Sequence, residues 1–310
     1  GAYSEGYDVV FERRLVNQKK LGLIPADALP ASRSPKGSPW SELSPEEQRA
    51  EERRMEVYAA MISEMDTHTG RLIDYLRDSG RLENTIIIFL SDNGANGHDL
   101  DDTWNPELYP TIRAVIDERH DHSVENMGRP GSYTLYGPNW ARVSAPAFRM
   151  YKAFPSEGGT RTAAFAHYPK LFASEAIIDE FISARDVTPT ILDLAGLEHP
   201  GSNYKGREIE PMSGVSMVDA LRNREQGGDA RVYADELLGK ILVRRGDWKL
   251  LKMAPPYGTG QWELYDLATD LSESRNLVES QPHIASELIA EWDRYVTDNG
   301  VILPSEVSGY

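Results

Sequence analysis

Thr85-Ile86-Ile87-Ile88-Phe89-Leu90 runs directly into Ser91-Asp92-Asn93-Gly94, and this ten-residue stretch decides how the chain is read. A β-branched run without polar alternation predicts a strand covered on both faces, as in a parallel sheet flanked by helices. In open α/β sheets, ligands bind in the crevice at the carboxyl ends of such strands. Asp92 and Asn93 stand at that end, and a carboxylate beside an amide carbonyl offers hard oxygen ligands suited to Ca²⁺ or Mg²⁺. The same residues also read as a plain strand-to-loop turn, because Asp and Asn-Gly tolerate left-handed backbone. Two oxygens fall short of the roughly 6 to 8 that Ca²⁺ takes, so a metal site needs ligands from elsewhere.

Upstream, residues 1–45 are mixed, and prolines at 25, 30, 35, 39 and 45 rule out a continuous helix over that stretch, which reads as a loop wrapping a surface. Ser44-Pro45-Glu46-Glu47 then supplies an N-cap, a proline at the first helical position and a capping-box glutamate. Met55, Tyr58, Met61, Ile62, Met65, Thr69, Leu72, Ile73 and Leu76 follow at helical spacing, a stripe expected to be core and to end near Gly80. Downstream, residues 95–150 are polar, aromatic and rich in Gly and Pro. That is too long for an idle connector and suits a stretch lining a site. A second strand is expected over 163–168 and a helix from Asp186 to a stop at Gly196. From about residue 230, four short strand-like pieces (231–234, 240–244, 248–253, 262–265) predict an antiparallel meander, closed by a helix over 282–298. The expected division is a catalytic α/β part over 1–228 and a small antiparallel β subdomain over 229–310.

Composition narrows the function. The 310 residues carry 33 Lys and Arg against 49 Asp and Glu, a formal charge of -16, which disfavours nucleic acid as a partner. No apolar run approaches the ~20 residues that cross a bilayer, so no membrane partner is expected. The absence of cysteine excludes a disulfide framework, a thiolate metal site and a cysteine nucleophile, and leaves the compartment open between bacterial cytoplasm and periplasm. Neither a Gly-x-Ser-x-Gly elbow nor a GxxxxGK[ST] phosphate loop occurs. Lys152, framed by Phe148, Tyr151 and Phe154 and followed by Glu157-Gly158-Gly159, is a candidate point charge for a sulfate or phosphate oxygen, although a lone lysine reads first as a solvated surface residue. His120 and His122 offer a His-x-His pair, yet their acidic setting reads as a solvated loop. Asp99, Asp101 and Asp102 likewise read as a solvated run, with a place at the rim of a site as the alternative.

Taken together, several segments resemble type I, formylglycine-dependent sulfatases, specifically the C-terminal portion of the bacterial arylsulfatase branch in the alkaline-phosphatase-like superfamily. They are 55–61 with Gly70-Arg71; Ser91-Asp92-Asn93-Gly94-Ala95; Tyr136-Gly137-Pro138; Tyr151-Lys152-Ala153-Phe154 with Glu157-Gly158-Gly159; and Gly246-Asp247-Trp248-Lys249-Leu250 with 262–267. The resemblance runs almost end to end. It implies an alkaline-phosphatase-like mixed sheet flanked by helices, followed by a small antiparallel sheet packed with a helix. It also implies hydrolysis of a sulfate ester, in which a formylglycine hydrate attacks sulfur while Ca²⁺ neutralises the sulfate oxygens. Asp92 and Asn93 match two of the family's metal ligands, and Lys152 matches its sulfate-contacting lysine.

The family's C/S-x-P-x-R motif, source of formylglycine, is not encoded here. Its nearest approach, Ser144-Ala145-Pro146-Ala147-Phe148, lacks the arginine. The family's other metal ligands belong to a segment that would precede Gly1. Covalent catalysis needs its activated nucleophile, so this chain alone is expected to be inactive and to bind Ca²⁺ weakly or not at all. A missing N-terminal half, or self-association through an open strand edge, is the expected partner. The rival readings are a non-catalytic pseudoenzyme or interaction chain, and part of a phosphate or phosphonate ester hydrolase.

Overall fold

The computed structural model describes residues 1–99, 109–172, 176–223 and 231–304. The chain forms two compact units: Gly1–Leu72 with Asn93–Ala163 and Val232–Tyr310, and Ile73–Asp92 with Ala164–Arg231.

The first unit is built around an antiparallel meander of β5 (Val232–Leu237), β6 (Lys240–Arg245), β7 (Trp248–Lys252) and β8 (Trp262–Asp266), in that spatial order. The strands follow the expected meander: two-residue turns join β5 to β6 and β6 to β7, and the longer proline-containing connection 253–261 joins β7 to β8. Ile241, Val243, Leu250 and Leu264 on one face bury against α8 (Pro282–Asn299) through Ala285, Leu288 and Trp292. Leu242, Leu251 and Tyr265 on the other face join a larger core with Phe11, Trp140, Tyr151 and Phe154. That core rests on α1 (Tyr7–Lys20) and α4 (Gly137–Ser144), where the fully buried Trp140 meets Tyr7 edge to face with ring centroids 5.6 Å apart. The first unit also holds α3 (Tyr109–Arg119) and the single turn α5 (Glu157–Thr160).

Helix α2 (Pro45–Asp78) begins at the expected capping box: Ser44 Oγ accepts from the Glu47 N–H at 3.3 Å, and Glu47 Oε2 accepts from the Ser44 N–H at 2.7 Å. Its first half is anchored by buried Met55 and by Tyr58, stacked on Tyr136 at 4.5 Å.

In the second unit, β1 (Ile87–Leu90) pairs with β2 (Ala164–His167), and α6 (Val187–Leu194) starts behind a buried carboxylate. Asp186 accepts from the backbone N–H groups of Ser183 and Val215 and from Arg231 at 2.8–2.9 Å. Burial alone would raise its pKa, but these donors hold it below the ordinary carboxylate range. The short strands β3 (Asn203–Tyr204) and β4 (Arg207–Glu208) and helix α7 (Val218–Asn223) complete this unit.

Two expectations are corrected. First, β1 is not a buried strand of a parallel sheet: it pairs antiparallel, its residues are half-buried, and Leu90 is exposed. Second, the apolar stripe of α2 is not core beyond Tyr58, since Met61, Ile62, Met65 and Leu72 lie on the surface. The sequence pattern reports which side chains favour burial, and among the described residues nothing covers these. The proline stretch from Pro25 to Pro45 is irregular apart from one short turn at Trp40–Glu42, as expected, and helix α1 ahead of it buries Tyr7, Val10, Phe11 and Leu15.

Two leucines separate packing from mere apolarity. Leu288→Ala, in the core under α8, is expected to cost about 2–5 kcal/mol, while Leu72→Ala, 58% exposed, should stay within about 0.5 kcal/mol. Urea unfolding of the two variants tests this, and equal losses would show that α8 is not docked as described.

Candidate functional site

Asp92 and Asn93 lie immediately after β1, where the sequence expectation puts them: Asp92 is exposed and Asn93 half-buried. Asp92 closes the chain segment of the second unit, and Asn93 opens that of the first. Within the first unit, the loop that continues from Asn93 lies directly on the segment carrying Lys152. The Gly94 N–H donates to the Gly159 carbonyl at 2.9 Å, and the Lys152 N–H donates to the Ala95 carbonyl at 2.9 Å. The backbone that follows Asn93 is therefore paired with the Lys152–Gly159 segment.

That seam requires glycine. A Cβ on Gly94 would strike the Gly158 carbonyl, one on Gly158 the Met150 carbonyl, and one on Gly159 the Phe154 carbonyl. Lys152 itself is half-buried. It sits between two residues in left-handed backbone, Met150 at φ 62° and Ala153 at φ 70°. Such a conformation costs a non-glycine residue of order 1–3 kcal/mol and persists only where surrounding contacts enforce it.

The contacts that enforce it are buried charges. Lys249 Nζ, on β7, lies 2.7 Å from Glu157 Oε1 and 2.9 Å from Glu273 Oε1, with all three residues at most 2% exposed. Glu273 Oε2 also accepts from the Glu157 N–H at 3.1 Å. Arg244 and Arg161 each approach Glu157 to 3.7 Å. At the other end of the loop, Arg149 donates to Tyr265 Oη at 3.0 Å, to Glu263 Oε2 at 3.3 Å and to the Tyr257 carbonyl. Burial would raise the Glu157 carboxyl, but Lys249, then Arg244 and Arg161, outweigh it and hold it below the ordinary range. For Glu273, burial prevails over Lys249, and the negative Glu157 adds to it, so this carboxyl is held high. Beside the cluster, buried Lys240 places its ammonium 5.1 Å from the Phe154 ring centroid, and burial lowers its pKa to about 8.

The remaining candidates separate from this site. His122 meets Asp117 through Nε2 at 3.1 Å and the Tyr133 carbonyl through Nδ1 at 3.0 Å, as a loop-bracing residue does. Among the described residues, no cluster of three or more His, Asp or Glu side chains is arranged to hold a metal. Asp99 approaches Gly137, while Asp101 and Asp102 lie outside the described residues. Ser144 ends α4 with its hydroxyl donated to the Trp140 carbonyl at 3.2 Å, an ordinary helical role. Sequence reasoning missed the Lys249–Glu273 anchor. Its signal is strand parity, since Lys249 shares a face with Leu251 and Met253, both buried.

The "Sulfatase" family model matches residues 19–197, more than half of the chain, and that of the N-sulphoglucosamine sulphohydrolase C-terminal region matches 149–296. The chain belongs to the sulfatase family. It is 39% identical over 305 residues to an uncharacterized sulfatase of Schizosaccharomyces pombe, covering 97% of this chain and 54% of that protein. It is 35% identical over 221 residues to an arylsulfatase of Klebsiella aerogenes, covering 70% and 45%. The solved structure of Ps i-CgsB in complex with k-i-k-neocarrahexaose shares the fold, with a TM-score of 0.52 at 19% identity, covering 98% of this chain and 57% of that one. The α/β, alkaline-phosphatase-like fold class therefore stands, and the chain spans about half the length of the curated relatives it matches.

Lys249→Met leaves two buried carboxyls without their shared cation and is expected to cost about 3–5 kcal/mol by urea unfolding at neutral pH. Glu273→Gln should cost far less. A carboxyl held high stabilises the fold in acid and loses that contribution as pH rises through its raised value, whereas Glu157, held low, loses its contribution only in acid. The stability of the unsubstituted chain relative to Glu273→Gln should therefore fall as pH rises above the ordinary carboxylate range. A difference independent of pH would refute a raised Glu273.

Proposed function

We propose that this chain is part of a sulfuric ester hydrolase of the arylsulfatase type, in which Lys152 contacts the sulfate group and Asp92 and Asn93 supply part of a Ca²⁺ site. The observation that carries this reading is the backbone seam between Gly94-Ala95 and Lys152–Gly159, within a segment that the sulfatase family model matches. The donor chemistry of Asp92 and Asn93 fits a hard cation, while their number leaves further ligands to other residues. A bound Ca²⁺ would neutralise negative charge on the ester's oxygens. The Lys152 ammonium adds a point charge to the same oxygens, and the clamped loop fixes where that charge stands before substrate arrives. The attacking group, formylglycine in the family this chain resembles, is not encoded in these 310 residues, so the chain alone should not turn over. The lysine and the Asp-Asn pair suit a phosphate or phosphonate ester equally well in charge, which makes substrate preference the discriminating measurement.

The test uses a complete sulfatase assembled with this chain, as one longer polypeptide or with the unmatched part of the fission-yeast relative co-expressed. With Ca²⁺ it should hydrolyse an aryl sulfate in preference to the matching phosphate ester, and Lys152→Ala should lower kcat by about 10²- to 10³-fold. Preference for the phosphate ester would move the assignment to the alternative chemistry. An unchanged rate in Lys152→Ala would remove the lysine from its role, and Lys152-dependent turnover by the 310-residue chain alone would overturn the dependence on a second segment.

A further inference from the structure

Three arginines follow one another along the groove where α1 packs on α4. Arg33 reaches in from the proline stretch, and its guanidinium donates to Asp8 Oδ1 and, at 3.3 Å, to Asn139 Oδ1. Asp8, Phe11 and Arg14 recur every three residues on α1, so they share one face. Over Phe11 lies the guanidinium of Arg142, from α4, 3.5 Å from the ring centroid. Arg14, the next step along, donates to the Val143 carbonyl at 3.3 Å. The charge in this groove is not balanced. Asp8 answers Arg33 and also accepts from the Trp40 N–H at 3.1 Å. Among the described residues, neither Arg14 nor Arg142 forms an ion pair with a carboxylate. Arg142 donates to the Ala31 carbonyl at 3.1 Å, while its Nε is buried without a partner. Burial and then the neighbouring Arg33 lower its pKa to about 10, against the opposing pull of Asp8 and Glu12.

Withdrawn charge is ordinarily paired, so a guanidinium set beside another and given no carboxylate is a costly arrangement. It is the more unusual in a chain of formal charge -16, where acidic side chains are plentiful. From this we infer that the α1–α4 groove binds a tetrahedral oxyanion, phosphate or sulfate, held by Arg142 and Arg14 with Arg33 at its edge. Arginine's planar fork meets the oxygens of such an ion two at a time, and the Phe11 ring beneath Arg142 fixes the plane of that fork. All three arginines are half-buried, so the ion reaches them from solvent while part of their hydration is already stripped away. The ion supplies the counter-charge that no side chain supplies. A free ion and the end group of an ester share this chemistry. None of these residues takes part in the role proposed for Lys152, so the two readings stand or fall separately.

The test is calorimetric titration of the 310-residue chain with sodium phosphate at low ionic strength, with sodium chloride of matched ionic strength as the blank. Phosphate should fill one saturable site and chloride none. Arg142→Met keeps an apolar stem on Phe11 and should weaken phosphate binding about tenfold or more, and Arg142→Lys should not restore it, because an ammonium lacks the fork. Lys152→Ala should leave the affinity unchanged. Far-UV circular dichroism checks that each variant folds, and a second measurement needs no variant. In the unsubstituted chain, phosphate should slow modification of Arg14 and Arg142 by phenylglyoxal, mapped by mass spectrometry, and leave Arg294 on α8, 65% exposed, unaffected. Phenyl phosphate titrated alongside separates the sources: binding at least as tight as that of phosphate assigns the site to an ester's end group, and weaker binding assigns it to the free ion. The site is refuted if phosphate shows no saturable binding beyond chloride, if it leaves Arg14 and Arg142 unprotected, or if a folded Arg142→Met binds like the parent. It is equally refuted if Lys152→Ala, rather than Arg142→Met, removes the binding.

Discussion

The arrangement around Lys152 depends on one buried ammonium. Lys249 Nζ is shared by carboxylate oxygens of Glu157 and Glu273 at 2.7 and 2.9 Å, and Glu273 reaches on to the backbone N–H of Glu157. An apolar contact at this place would tolerate sliding between the sheet and the loop. Charge-assisted hydrogen bonds are short and directional, so they fix the start of α5 in one position relative to β7. That position sets Gly158 and Gly159, whose backbone faces allow the loop from Asn93 to lie against the Lys152 segment. The order of dependence is therefore sheet, ion cluster, glycine seam, lysine.

The cluster also explains how unfavourable backbone survives beside Lys152. Met150 and Ala153 both hold positive φ, a combined cost of several kcal/mol if each is of the usual order. The restraints stand at both ends of the segment: Arg149 is held by Glu263, Tyr265 and the Tyr257 carbonyl, and Glu157 by Lys249 and Glu273. A loop tied at both ends by buried charge has few ways to relax. This gives the half-buried lysine a defined place without burying its ammonium outright.

Legibility in the sequence followed the range of the interactions involved. The β5–β8 meander and α8 were readable because turns at Gly246 and the Pro255-Pro256 segment, period-two alternation and a helix-starting Pro282 are all local signals. The apolarity of β1 and of the α2 stripe was readable as well, but not its fate, because burial depends on what comes to cover a surface. Helix α1 was hidden by flanking charge, although Tyr7, Val10, Phe11 and Leu15 carry helical spacing. At the site, Asp92, Asn93 and Lys152 stood out through family resemblance, whereas the partnership of Lys249 with Glu157 joins residues 92 positions apart. A lysine in a short strand reads as solvent-facing. Only its parity with Leu251 and Met253 signals that it faces inward.

The two family matches overlap over residues 149–197, and the clamped loop lies at the start of that overlap. The physical contacts give a reason for the overlap. From one direction the loop is hydrogen-bonded to Gly94 and Ala95, which continue from the end of β1. From the other it is held by side chains and backbone between Arg244 and Glu273, in the C-terminal meander and the turns that follow it. It is where the C-terminal sheet grips the segment carrying the candidate site residues. The sheet is thus more than a cap on the core: one face is an ordinary apolar surface for α8, while the other sets Lys249, Arg244 and Glu263 among core residues Leu242, Leu251 and Tyr265 to hold the loop. A sheet with one wholly apolar face and one face that mixes apolar and charged buried side chains can fold locally through the first and act at a distance in sequence through the second. This division lets the 149–161 loop belong structurally to both parts of the chain.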